Sequence, residues 1–218
     1  NTPHSFTSPR HRWPEYVKTL TSREDGRRSI QWVTPKGALT KIVEGTHPVK
    51  YPVDSIEAVR MYRDMWEGVS FVAHPEADGA ALSALDELIG DDGVVTRFWG
   101  PSTIPRLLEE DMGTENFYYL MADYPNEVEG LIRTIHEREL EAFRILADGP
   151  WDSVTLVENT STFYISPDIY KRFNMPHQRE FVEAVKAKGK VAILHMCGHV
   201  HNLLDLIKET GCDGIHTL

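Results

Sequence analysis

Near its carboxyl end the chain runs Val191-Ala-Ile-Leu-His195-Met-Cys197-Gly198-His199. The apolar residues that open this stretch predict a buried strand, and Gly198 marks its end. Successive side chains of a strand point to opposite faces, so His195 and Cys197 share one face. Zinc accepts imidazole nitrogen and thiolate sulfur together, and a catalytic zinc site keeps one position open for water or substrate. The stretch therefore predicts that His195 and Cys197 are zinc ligands.

The same two side chains also have a simpler interpretation. An isolated His-x-Cys is more often a hydrogen-bonded core histidine beside a small buried cysteine. The position of this pair favours the zinc interpretation, because the last residues of a parallel strand lie where α/β folds have their active sites. Both interpretations stay open at this point, and the zinc interpretation is favoured.

Helices and strands alternate along most of the chain. Hydrophobic periodicity predicts helices over 80–88, 103–112, 125–147, 167–189 and 203–209, and strands over 93–98, 153–157, 191–194 and 214–217. Short connections between them predict parallel βα units, in either a (β/α)8 barrel or an open doubly wound sheet. The sequence contains no Gly-x-Gly-x-x-Gly after a strand and no Walker phosphate loop. Their absence favours the barrel.

The amino-terminal part of the chain is polar and rich in turn-forming residues. We expect residues 1–29 to be a loop-rich segment, and residues 30–218 to form the central part of a single barrel domain. Residues 30–33 predict a short strand, with residues 39–43 as its hairpin partner across the turn Thr34-Pro-Lys-Gly37. Ser55 predicts the N-cap of a helix that extends to Trp66.

Composition limits the class of protein. The chain has 218 residues, 41% hydrophobic and 26% charged, with a formal net charge of −10. These values are typical of a globular enzyme, and no basic cluster is interleaved with aromatic residues, so nucleic-acid binding is not expected. No apolar stretch approaches the roughly 20 residues that span a bilayer, so no membrane interaction is expected. The two cysteines, Cys197 and Cys212, favour a reducing, cytoplasmic location without a disulfide framework.

Four segments together resemble a known family, the uroporphyrinogen decarboxylase superfamily, and within it the zinc-dependent methyltransferases that act with corrinoid proteins. The segments are Trp99-Gly-Pro-Ser-Thr103, Ile165-Ser-Pro-Asp-Ile-Tyr170, Leu194-His-Met-Cys-Gly198 and Gly211-Cys-Asp-Gly-Ile215. The Ser-Pro segment followed by His-x-Cys-Gly is the more specific match. The resemblance covers residues 32–218 and implies a TIM (β/α)8 barrel. The chain resembles the central part of that barrel, incomplete at both ends, so we expect a longer native polypeptide.

The resemblance also implies the metal, the cofactor and the partner. Zinc would be held by His195, Cys197 and a second, distant cysteine beyond Leu218. The methyl group would move between a methylated corrinoid (cobalamin), carried by a partner protein, and a thiol or tetrahydrofolate-type acceptor. Cys212 precedes the next strand, at the opposite end of the barrel, and is expected to be a small buried residue. No motif specifies the methyl donor, the acceptor or the direction of transfer. The sequence does not specify whether the protein forms a homo-oligomer either.

Further candidate residues follow neighbouring strands. Glu158 would protonate a folate-type acceptor, with a helix-capping or salt-bridged carboxylate as the alternative. Arg97 would bind an acidic substrate group or neutralise Glu158, and Trp99 would line a ligand pocket or pack in the core. The other substrate-binding candidates are the loop residues Asn159, Tyr164 and His199. His216, on the last strand, has no assigned role.

Two other functions fit the same resemblance. The runner-up is a cofactor-free uroporphyrinogen decarboxylase, whose arginine-rich segment and catalytic aspartate would precede Asn1. Two features argue against a decarboxylase. Those enzymes lack the His-x-Cys-Gly segment, and they carry a tyrosine where this chain has Leu107. The third is a non-catalytic, corrinoid-associated scaffold, which would lack a complete zinc site. Methyl transfer is the favoured prediction.

Overall fold

A computed structural model describes residues 6–217 of the chain. The strands are β1 (Arg10–Arg12), β2 (Lys18–Glu24), β3 (Arg27–Thr34), β4 (Gly37–Glu44), β5 (His47–Lys50), β6 (Ser70–Val72), β7 (Thr96–Trp99), β8 (Ser153–Val157), β9 (Val191–His195) and β10 (Gly214–His216). The helices are α1 (Ile56–Glu67), α2 (Pro75–Ile89), α3 (Thr103–Arg106), α4 (Gly113–Asp123), α5 (Pro125–Asp148), α6 (Pro167–Ile169), α7 (Met175–Lys186) and α8 (Leu204–Lys208). π-Helical turns connect α3 to α4 (Leu107–Asp111) and α6 to α7 (Tyr170–Asn174).

The described residues form two compact units. The first contains residues 6–11, 71–102 and 139–217, and the second contains residues 12–70 and 103–138. Helix α5 begins in the second unit and ends in the first, so the chain passes between the units more than once. The expected division at residue 29 does not coincide with these units, and a single barrel domain over residues 30–218 stays a prediction.

The first unit is built on a four-stranded parallel sheet with the order β10-β9-β8-β7. Each strand lies beside the next one in the chain, as in a barrel, whereas a doubly wound sheet reverses its strand order. On the two central strands one face of the sheet is fully buried, with Val154, Leu156, Ala192 and Leu194 all 0% exposed. The parallel sheet with intervening helices confirms the α/β class that the alternation of elements predicts.

Most elements of this unit form close to where periodicity places them. The strand predicted over 153–157 is β8, Ser153–Val157. Ser166 is the N-cap of the helix predicted over 167–189, because its hydroxyl oxygen accepts a hydrogen bond from the Ile169 N–H at 3.2 Å. A π-helical turn interrupts the helix that follows just before Pro176, and the helix ends at Lys186. Gly189, with φ of 71°, lies shortly beyond this end.

The second unit contains a four-stranded antiparallel sheet with the order β2-β3-β4-β5. The predicted hairpin of residues 30–33 and 39–43 is confirmed by the pairing of β3 with β4. Ser55 caps α1 as predicted, and its hydroxyl oxygen accepts from the Ala58 N–H at 3.2 Å. Tyr62 of α1 donates a hydrogen bond to a carboxylate oxygen of Asp111 at 2.7 Å, and both side chains are buried. Burial raises the pKa of both groups.

The prediction that residues 1–29 are loop-rich is wrong for part of this segment. Lys18–Glu24 forms β2, which pairs with β3 along its whole length. Every residue of β2 is exposed, so the strand lacks the apolar alternation that identifies strands in a sequence. Asp25 and Gly26, with φ of 48° and 77°, form the two-residue turn between the strands. An Asp-Gly pair is the usual signal for such a turn.

Candidate metal and active site

The carboxyl ends of β8, β9 and β10 lie side by side. Val157, His195 and His216 are neighbours in the strand register, so their side chains share one face of the sheet. The backbone N–H groups of Glu158 and Asn159 both donate to the His195 carbonyl oxygen, at 2.9 and 3.1 Å. The chain leaving β8 is therefore tied to the residue that carries the candidate imidazole ligand.

His195 is half-buried and lies against a second imidazole. Its Nδ1 is 2.8 Å from Nδ1 of His216, and the hydroxyl oxygen of Thr217 is 3.2 Å from the first nitrogen and 2.9 Å from the second. Burial lowers the pKa of His195, and the neighbouring His216 lowers it further. The neutral imidazole is thereby favoured, and only a neutral imidazole has a nitrogen lone pair to offer a metal ion.

Cys197 is exposed, and its thiol donates to the side-chain oxygen of Asn159 at 3.4 Å. Asn159 has φ of 44°, in the left-handed region that asparagine tolerates better than most residues. Its carbonyl oxygen accepts a hydrogen bond from the Tyr164 hydroxyl. Of the predicted substrate-binding residues, Asn159 thus contacts the candidate thiol ligand, and Tyr164 contacts Asn159.

Gly198 allows the segment after β9 to touch the segment after β8. A Cβ atom at Gly198 would lie 2.4 Å from the Cβ of Ser161 and 2.5 Å from the carbonyl oxygen of Thr160. The adjacent His199 N–H donates to the Ser161 hydroxyl at 3.2 Å. The exposed ring of His199 packs edge-on against Phe163, with 4.3 Å between ring centroids. His199 therefore lies at the junction of the two loops, two residues beyond Cys197 in the chain.

The residues present fit part of a zinc site. Within residues 6–217, no group of three or more His, Cys, Asp or Glu side chains is placed to hold a metal ion. A neutral imidazole nevertheless ends β9 and an accessible thiol follows two residues later, and these are two of the donors that zinc prefers. Cys212 does not complete the set, since it is half-buried in the segment before β10, at the opposite end of the parallel sheet.

The carboxylate predicted at the strand ends, Glu158, is fully buried. One of its oxygens accepts a hydrogen bond from the side-chain amide of Gln178 at 2.7 Å. The amide oxygen of Gln178 in turn accepts from the Tyr170 hydroxyl. Burial raises the pKa of Tyr170, and the charge of Glu158 raises it further, so Tyr170 stays a protonated donor. The carboxylate thus lies in a buried network behind the strand end, and its catalytic role stays a prediction.

Arg97 and Trp99 contact the protein interior. The guanidinium of Arg97 donates to the Ser8 carbonyl oxygen at 2.8 Å, so it ties down residues near the amino end of the chain. Trp99 is 9% exposed and packs edge-on against Phe71 and Phe143, with centroid separations of 6.1 and 5.8 Å. These contacts match the packing alternative for Trp99, and a substrate-binding role for either residue stays a prediction.

Comparison with known proteins identifies the family. The family described as Uroporphyrinogen decarboxylase (URO-D) matches residues 46–217, which is most of the chain. The chain belongs to the URO-D family. The predicted resemblance to this superfamily is therefore confirmed.

Two curated relatives of this URO-D family protein are named Methylcobamide:CoM methyltransferase MtbA. The one from Methanosarcina acetivorans is 29% identical over 65 residues, and the one from Methanosarcina mazei is 28% identical over 65 residues. Each match spans 29% of this chain and 19% of the relative, so it covers only about a fifth of the relative's length.

A solved structure shares the fold. It is a methyltransferase from Methanosarcina mazei, which matches with a TM-score of 0.52 and 16% sequence identity. The match covers 67% of this chain and 48% of that one. Among residues 6–217, no helix is long and apolar enough to cross a membrane.

Two contacts at this site of the URO-D family protein are not among the sequence predictions. They join His216 to His195 and Gln178 to Glu158. The contact of His216 with His195 follows from strand register, because both residues end adjacent parallel strands. A search for chemical groups at equivalent strand ends could have found it. Gln178 gave no such signal, since its contact with Glu158 joins a helix to a strand end and depends on tertiary packing.

Proposed function

We propose that this URO-D family protein is a zinc-dependent methyltransferase that moves a methyl group between a methylated corrinoid and a thiol. The observation that carries the proposal is the placement of His195 and Cys197 at the carboxyl end of β9, with the Cys197 thiol exposed. The name of the curated relatives, Methylcobamide:CoM methyltransferase, supports a corrinoid donor and a thiol acceptor. A corrinoid protein is the proposed partner.

The proposed architecture is a TIM (β/α)8 barrel. Strands β7 to β10 would be consecutive strands of that barrel, since each pairs in parallel with the next in the chain. His195 and His216 would then face the barrel interior, at the end where TIM barrels hold their active sites. The fold shared with the solved methyltransferase supports this arrangement.

His195 and Cys197 would hold the zinc together with a further ligand from outside the described residues. Bound zinc would lower the pKa of the acceptor thiol and so keep that group as a thiolate at neutral pH. Asn159 would orient Cys197, because its side-chain oxygen already contacts the sulfur and its amide N–H can face a thiolate instead. Tyr164 would hold Asn159 in place through the backbone carbonyl.

The burial of Glu158 favours a thiol over a tetrahydrofolate-type acceptor. Methylation of a tetrahydrofolate nitrogen releases the proton of that nitrogen, so a group within reach of the acceptor has to take the proton up. Glu158 is fully buried and hydrogen-bonded to Gln178, so its carboxyl group is poorly placed for that task. A zinc-held thiolate has already released its proton and requires no such group.

Methyl transfer can be measured with the full-length, zinc-loaded protein. Methylcobalamin is mixed with coenzyme M or with tetrahydrofolate, and its demethylation is followed by absorbance. We expect demethylation that depends on coenzyme M and falls to background in a Cys197→Ser variant. Failure of both acceptors with the zinc-loaded protein would contradict the proposal.

The same preparations test the two other functions. Release of carbon dioxide from uroporphyrinogen would establish the decarboxylase instead. A protein that binds a methylated corrinoid protein but catalyses neither reaction would be a scaffold.

A further inference from the structure

Three polar atoms converge at the carboxyl ends of β9 and β10. They are Nδ1 of His195, Nδ1 of His216 and the hydroxyl oxygen of Thr217, separated by 2.8, 2.9 and 3.2 Å. All three distances lie within or close to the hydrogen-bonding range. The proposed function uses only His195 among these three residues.

Hydrogen bonding among these atoms constrains the protons. Two facing ring nitrogens at 2.8 Å must pair one N–H with one lone pair, because two protons or two lone pairs would repel. Thr217 can donate its single hydroxyl proton to only one of the rings. Its oxygen is closer to His216, at 2.9 Å, than to His195, at 3.2 Å. Nδ1 of His195 thus has two hydrogen-bond partners, at 2.8 and 3.2 Å, and Nε2 is the ring nitrogen left to face a metal ion. A metal ion on Nε2 requires the ring proton on Nδ1, and His216 Nδ1 then accepts that proton's hydrogen bond.

His216 is held firmly in this position. The residue lies on β10 in register with His195, and its carbonyl oxygen accepts from the Met196 N–H at 3.1 Å. Its ring packs edge-on against Phe98, with 5.5 Å between centroids. Thr217 has φ of 65°, an uncommon conformation for a β-branched residue, and it places the hydroxyl beside both rings. A side chain fixed on a strand can orient its neighbour more precisely than one on a free loop.

We infer that His216 and Thr217 are positioning residues that fix the tautomer of His195, so that Nε2 of His195 carries the lone pair offered to zinc. A metal-binding histidine usually donates its other ring N–H to a partner, and that hydrogen bond decides which nitrogen binds the metal. Here the partner is a second imidazole supported by a hydroxyl group. The inference rests on the proposed zinc site and deepens it.

Zinc affinity of the full-length protein tests the inference, measured by competition with a chelator. We expect His216→Ala to weaken zinc binding by about 10- to 100-fold, the usual effect of losing a hydrogen-bond partner of a metal ligand. His216→Asn should restore most of the affinity, because its side-chain oxygen can accept the same N–H. Thr217→Val should weaken binding less than His216→Ala. His47→Ala, at an exposed histidine on β5, is the control and should leave the affinity unchanged.

The His195 tautomer is a second readout that needs no metal. Nitrogen-15 NMR of the zinc-free protein should show His195 protonated at Nδ1 in the wild type and shifted toward the Nε2–H form in His216→Ala. An unchanged tautomer, or equal zinc affinity in wild type and His216→Ala, would overturn the inference. Complete loss of zinc in both His216→Ala and His216→Asn would also overturn the inference, because it would identify His216 as a zinc ligand and not a positioning residue. Absence of zinc from the wild type would overturn the proposed function, while the tautomer measurement would still decide the inference.

Discussion

Substitution of Gly198 by alanine is expected to destabilise the protein by about 1–3 kcal/mol and to lower its zinc content. The added methyl group would lie 2.4 Å from the Cβ of Ser161 and 2.5 Å from the carbonyl oxygen of Thr160. One of these atoms belongs to the backbone, so the clash cannot be relieved by rotating a side chain. The loop must move instead, and it carries Cys197. Urea denaturation and metal analysis of the full-length variant measure the two effects.

Gly79→Ala is the matched control for Gly198→Ala. Gly79 lies within α2, and a Cβ atom there would meet no other atom within 4 Å. Alanine at this position should stabilise the helix by about 1 kcal/mol and leave zinc content unchanged. If Gly198→Ala unfolded at the wild-type urea concentration with its full zinc content, the close approach of the two loops would be disproved.

Substitution of Gln178 by leucine should also cost about 1–3 kcal/mol of unfolding free energy. Leucine has a similar volume but removes the amide that donates to Glu158 at 2.7 Å and accepts from Tyr170. All three side chains are 0% exposed, so water cannot replace the lost hydrogen bonds. Tyr170→Phe removes only the outer bond and should cost about 1 kcal/mol. Chemical denaturation of the three proteins gives the comparison.

Gln31→Leu provides the control for the loss of a glutamine side chain. Gln31 is half-buried on β3, and its amide donates to the Thr40 hydroxyl at 3.4 Å. Its replacement should change stability by less than Gln178→Leu, because the bond is long and the partner is uncharged. Equal effects of the two substitutions would mean that the buried network around Glu158 contributes little to stability.

The elements that the sequence predicts well are those with a buried apolar pattern. Val154 and Leu156 on β8 are fully buried, and the apolar run that contains them identifies that strand. Strand β2 has no such pattern, since all its residues are exposed and backbone pairing with β3 holds it in place. Its one local signal is the turn at Asp25 and Gly26.

The candidate site is predictable where it depends on strand ends. The apolar run Val191–Leu194 predicts the position of His195 at the end of β9 and of Cys197 just beyond it, while their role as zinc ligands stays a prediction. The burial of Glu158 follows from alternation too, because it continues the series Val154, Leu156, Glu158 on the buried face. The contact between Arg97 and Ser8 joins residues 89 positions apart, and no local pattern could reveal it.

The zinc content of the full-length protein tests zinc-dependent methyl transfer most directly. Wild type, His195→Ala and Cys197→Ser are purified identically under reducing, chelator-free conditions. Cys212→Ser is the matched control, since Cys212 lies at the opposite end of the sheet. We predict near-stoichiometric zinc in the wild type and in Cys212→Ser, and its loss in the other two variants. A wild-type protein without zinc, or zinc that persists in both His195→Ala and Cys197→Ser, would contradict the proposed function.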